Sequence, residues 1–193
     1  MIRLARAVRS TLGQRHRYAH VLGVARTAAR LARRHRLDGN AAAIAGLLHD
    51  LARLWPAEQL LRECERRGLT IDSFERANPV VLHARLSAEL ARERFGIDDE
   101  RVLSAIRKHT VADERMDPLD VVLYLADALE PGRAYAERAA LTELSLRDLD
   151  AGLRAVVAST IDYLRGRRLP VAPQTLALAH ALGARDREEK RPA

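Results

Sequence analysis

Six side chains carry most of the chemistry this sequence offers: the adjacent pair His49-Asp50, a second aspartate, Asp127, and the histidines His20, His83 and His109. The stretch 41–48 is apolar on every helical face, so Asp50 at its end is expected in the core. An ionised carboxylate there needs a charged partner, several hydrogen bonds or a cation, or else it takes up a proton. Asp127 poses the same problem, lying inside the apolar run 121–129. Both aspartates fall near the C-terminal ends of predicted helices, where the helix dipole favours a cation. The four histidines fall on four different predicted helices, and polyhistidine, dicarboxylate sets drawn from facing helices commonly enclose a divalent metal. Imidazole with carboxylate suits iron, manganese, zinc or cobalt better than magnesium or calcium. The competing reading pairs each aspartate with one of the many arginines.

The elements that must position these groups are all predicted to be helical. Residues 17 to about 36 form an amphipathic helix with Val21, Ala25, Ala28 and Ala32 on one side and arginines on the other. Asp38 is an expected N-cap for a helix running to about residue 54, and Pro56 suits the first position of the next, which ends near Gly68. A short helical segment at 72–77 precedes a helix at 80–95 closed by Gly96. Asp98 is expected to open a helix through His109, and Asp117-Pro118 to open one that ends at Pro131-Gly132. Helices near 135–144, 146–164 and 173–182 follow, with a charged, frayed tail at 185–193. The fold class is therefore all-α, a single-domain helical bundle over 1–193 with its core at about 15–165 and a C-terminal helical extension.

Composition agrees: 193 residues with 48% hydrophobic and only 4% aromatic content favour helices packed through small and aliphatic side chains. The formal charge of +7 suits a polyanionic partner, but the arginines are spread over most helices, which reads as solvated surface. Nucleic acid is disfavoured as a partner because Trp55, Phe74 and Phe95 are too scattered to form a stacking platform. Cys64 is the sole cysteine, so a metal must use histidine and carboxylate. The N-terminus does not read as a signal peptide and the longest strongly apolar stretch is too short to cross a bilayer, so no membrane is involved and a cytoplasmic location is expected. The apolar face on residues 1–12 can pack on the domain or on a second subunit, leaving a homodimer open.

In order and spacing, RYAH at 17–20, LHD at 48–50, His83, His109-Thr110 and AD at 126–127 resemble the HD-domain phosphohydrolases. RYAHVLGVARTAARLA, AGLLHDLAR, AIRKHT and LYLADALEPGR look like the YqeK branch, the bacterial symmetrical bis(5'-nucleosyl)-tetraphosphatases, over roughly residues 15–165. The resemblance implies His20, His49, Asp50 and Asp127 as ligands of a divalent metal, iron in the first instance, with manganese, cobalt or zinc as alternatives. It places His83 and His109 on a second metal or on substrate phosphates, and Arg17, Thr110 and Arg133 on substrate phosphates. The chain departs from the family pattern at Leu51-Ala52-Arg53 after the HD pair, at Ala84 after His83, at Val111-Ala112 after Thr110, and at Ala179-His180.

The implied reaction is hydrolysis of a dinucleoside tetraphosphate, diadenosine tetraphosphate to two ADP, by metal-activated water. Asp50 is expected to orient that water or take its proton, and Arg17, Arg133 and Lys108 to neutralise developing charge. The rival readings are an HD phosphohydrolase for another nucleotide and a nucleotide- or RNA-binding module without turnover.

Overall fold

The computed structural model describes residues 2–183, and the tail expected to fray at 185–193 lies outside them. Among the described residues every regular element is helical: α1 (Ile2–Leu12), α2 (Arg15–Arg34), α3 (Gly39–Leu48), α4 (Ala57–Arg66), α5 (Ser73–Ala77), α6 (His83–Phe95), α7 (Glu100–Lys108), α8 (Pro118–Leu129), α9 (Arg138–Arg147), α10 (Leu149–Gly166) and α11 (Pro173–Ala181). A single 3₁₀ turn, Pro79–Leu82, leads into α6.

The centre is built from α2, α3, α7 and α8, with α6 against α7 and α10 covering α8 and α9. The alternation of arginines with small residues in α2 buries Val21, Val24, Ala25, Ala28, Leu31 and Ala32 and leaves Arg26, Arg30, Arg33 and Arg34 in water. Helix α3 has no polar face because it is enclosed by α2, α7 and α8. Its Gly46 sets how closely it meets α2: a Cβ there would lie 2.6 Å from the Ala25 Cα. Gly46→Ala therefore forces two backbones apart, at a cost on the order of 1–3 kcal/mol, and thermal unfolding should show a Tm several degrees lower. The apolar face of α1 buries Val8 and Leu12 against α2 and α3 and leaves Ile2 exposed at its start.

Most of the expected punctuation is present. Asp38 caps α3 by accepting from the Asn40 and Ala41 N–H groups, Asp72 and Asp117 each close a capping box, and Gly96 ends α6 in the left-handed conformation at φ 64°. Several boundaries differ. Asp99, not Asp98, caps α7, because its carboxylate reaches the Arg101 N–H. Pro56 is the N-cap of α4, one position ahead of its expected place. The helix expected near 135–144 starts at Arg138, since irregular residues at 133–135 and a turn at 136–137 precede it.

One more difference concerns the chemistry. Helix α3 stops at Leu48, not near residue 54, so His49-Asp50 sit in the turns just beyond it. The His49 ring takes the Gly46 carbonyl, and the Ala52 N–H is held by the Ser87 hydroxyl of α6 at 3.1 Å. With a carbonyl and an amide diverted to side chains, the segment tightens into three-residue turns, Arg53 N–H to Asp50 O and Trp55 N–H to Ala52 O.

Candidate metal centre

All six candidate residues converge. His20 projects from the N-terminal half of α2, His49 and Asp50 follow the end of α3, His83 opens α6, His109 follows α7, and Asp127 lies in the last turn of α8. Asp50 is almost fully buried and stands between two pairs of imidazoles. Its Oδ2 lies 3.7 Å from Nε2 of both His20 and His49, and its Oδ1 lies 3.2 Å from His83 Nε2 and 3.9 Å from His109 Nε2. Asp127 Oδ1 is 3.1 Å from His20 Nε2 and 3.8 Å from His49 Nε2. Asp127 is less enclosed than expected, with 22% of its side chain exposed, so it forms the rim of the cluster and Asp50 the floor.

Local backbone geometry aims the rings. His49, His83 and His109 each sit at a helix boundary, and each ring points Nδ1 at the carbonyl three residues earlier: Gly46 O at 2.8 Å, Val80 O at 2.6 Å and Ile106 O at 2.8 Å. A carbonyl can only accept, so these Nδ1 atoms carry the proton and the Nε2 lone pairs face the cluster. His20 lies within α2, where backbone carbonyls are engaged, and its Nδ1 instead meets Glu130 Oε1 at 3.1 Å.

The donor set fits a divalent ion. Ligand bonds of about 2.0–2.2 Å put neighbouring donor atoms roughly 3–4 Å apart, the spacing found around Asp50 Oδ2 and Asp127 Oδ1. His49 Nε2 is fully buried without a hydrogen-bond partner, an atom left unsatisfied unless something coordinates it. Among the described residues three overlapping groups can hold a metal: His20, His49 and Asp50; His49, His109 and Asp127; and Asp50, His83 and His109. Each carboxylate also has a guanidinium neighbour, as the competing reading required, with Arg17 Nη1 3.5 Å from Asp50 and Arg133 Nη2 2.5 Å from Asp127. Neither arginine displaces the imidazoles.

The HD domain family matches residues 17–132, which contain all six of these residues. The chain belongs to the HD-domain family. A symmetrical bis(5'-nucleosyl)-tetraphosphatase of Bacillus subtilis is 35% identical over 83% of this chain and 86% of its own length. A protein of the same name from Halalkalibacterium halodurans is 33% identical over 86% of this chain and 89% of its own. The crystal structure of a predicted HD superfamily hydrolase from Clostridium acetobutylicum, described as involved in NAD metabolism, is 33% identical. It superimposes with a TM-score of 0.89 over 95% of this chain and 97% of that one.

Charge in the HD cluster is tightly coupled. Burial pushes the Asp50 carboxyl up, but His49 and His83 outweigh it and hold the group well below the usual carboxylate range. Asp127 is held down in the same way by His20, His49 and Arg133 against its burial. Burial and the neighbouring His49 and His83 bring His109 down to about 3, so its ring is neutral near pH 7. For His20 the effect of burial is outweighed by Asp127 and Glu130, which raise it.

Of the remaining expected site residues, Thr110 Oγ1 lies 3.0 Å from His109 Nε2 and 3.3 Å from His83 Nε2, at the second edge of the cluster. Arg17 keeps a buried Nε without a partner. Lys108 is not available as expected: its Nζ turns away to the fully buried Asp120 at 2.8 Å and the Arg115 carbonyl at 2.7 Å. The sequence reading missed Glu130. In the sequence it is only the residue before the Pro131-Gly132 stop, although its position three residues after Asp127 returns it to the side of α8 that carries Asp127.

Proposed function

We propose that this HD protein hydrolyses dinucleoside tetraphosphates symmetrically, with diadenosine tetraphosphate and water giving two ADP. The observation that carries this reading is the Asp50 carboxylate held between two imidazole pairs, His20 with His49 and His83 with His109. Relatives matched along most of their length carry the name of that activity. His20, His49, Asp50 and Asp127 would hold a divalent ion, iron first and manganese, cobalt or zinc as alternatives. When bound, such an ion acidifies water and polarises a phosphoryl oxygen.

The chain's own residues supply the rest. Asp50 Oδ1, facing His83 and His109, is placed to orient the attacking water and take its proton. His83, His109 and Thr110 form the edge on which phosphate oxygens, or a second ion, would rest. Arg17 and Arg133 present N–H groups for charge building on the phosphoryl oxygens, Arg133 by exchanging its bond to Asp127 for one to phosphate. Cleavage at the central anhydride requires one ADP half to be held and the other to leave through the rim near Asp127. The nucleotide is the proposed partner and the cytoplasm the proposed location. Among the described residues no helix is long and apolar enough to cross a membrane.

Chromatography of the products tests the reading. Diadenosine tetraphosphate with iron- or manganese-loaded protein should give ADP alone. ATP with AMP, or no turnover of this substrate by loaded protein, would overturn the symmetrical assignment.

A further inference from the structure

Glu130 is buried, with 5% of its surface exposed, directly after α8. Its two oxygens are both committed: Oε1 to His20 Nδ1 at 3.1 Å, and Oε2 to the Gly132 N–H at 2.7 Å. Two glycines make room for it. A Cβ on Gly23 of α2 would lie 2.5 Å from Oε2, and one on Gly132 would lie 2.7 Å from Oε1. The cradle thus involves one turn of α2, the end of α8 and the backbone that follows it.

We infer that Glu130 is a positioning residue for the metal centre, a carboxylate that fixes the orientation of His20 and keeps the proton on its Nδ1 so that Nε2 is free to coordinate. This rests on the metal reading above. The need for it follows from the position of His20. The other three histidines stand at helix boundaries and point Nδ1 at the backbone carbonyl three residues earlier, whereas His20 lies within α2 and finds its acceptor on another element. A carboxylate behind a ligating imidazole both fixes the ring and raises its basicity, and removing such a partner typically weakens metal binding 10- to 100-fold.

The test is the metal dissociation constant, measured by competition between metal-free protein and a chromogenic chelator, together with metal-free Tm. Glu130→Ala is expected to weaken binding about 10- to 100-fold. Glu130→Gln should weaken it less, since the amide oxygen still accepts from Nδ1. Gly23→Ala intrudes on the carboxylate while raising helix propensity, and is expected to weaken binding several-fold with no fall in metal-free Tm. Wild-type affinity in folded Glu130→Ala, or in Gly23→Ala should the first variant not fold, overturns the inference. Asp50→Ala is the control: if it binds metal as the wild type does, the metal reading itself has failed. If only Asp50→Ala loses metal, the role of Glu130 alone has failed.

Discussion

Replacing Asp50 with alanine should abolish metal retention and lower turnover of the dinucleotide by on the order of 10³-fold or more, because the metal contributes several kcal/mol and each 1.4 kcal/mol is tenfold in rate. The metal-free fold should barely register the change. Taking a carboxylate out of water costs several kcal/mol, and alanine removes that cost together with the His49 charge and the His83 contact at 3.2 Å that offset it. Unfolding of the metal-free variant is expected within about 1 kcal/mol of wild type, a Tm change of roughly 2–4 °C for a chain of this size. Metal analysis, steady-state rates and a thermal melt separate the contributions. A wild-type rate, or a collapse of the fold with the metal still bound in the residual folded protein, contradicts the assignment.

Arg133→Ala should lower kcat/KM about 100-fold, the scale of losing one charge-stabilising donor, while metal content stays within about twofold of wild type. The reason lies in the partner of Arg133. Its guanidinium bonds the same Asp127 oxygen that faces His20 and His49, and its Nε holds the Asp127 carbonyl. A positive group on a metal-ligating oxygen competes with the ion, so its removal cannot starve the site. What is lost is a partly exposed cation at the rim, able to pass from carboxylate to phosphate. Arg133→Lys should recover only part of the rate, since an ammonium cannot make the paired contacts of a planar guanidinium. Metal content is read beside kcat/KM, and loss of metal in Arg133→Ala would assign the residue to the metal shell instead.

Where the sequence could be read and where it could not follows the range of the interactions. Asp38, Asp72, Asp117 and Gly96 act within three or four residues, so their caps are visible in the sequence. The choice between Asp98 and Asp99 turns on which carboxylate reaches an N–H two residues on, which spacing does not show. The early end of α3 depends on Ser87, 35 residues away, and no local pattern carries that bond. Within the site, the six metal-type residues stood out because apolar surroundings made their presence costly. Lys108 and Glu130 were misjudged for a shared reason: each is defined by a distant partner, Asp120 for the first and His20 for the second. The Asp120 carboxylate sits in the first turn of α8 and also closes the capping box with Asp117.

The most direct test is anomalous diffraction from crystals of protein purified without chelator, with data on both sides of the iron edge and then the manganese, cobalt and zinc edges. The metal assignment predicts a peak bounded by Nε2 of His20 and His49 and by the carboxylates of Asp50 and Asp127. An anomalous map with no peak there from protein of full activity, or one in which Arg17 and Arg133 fill that space, would contradict it.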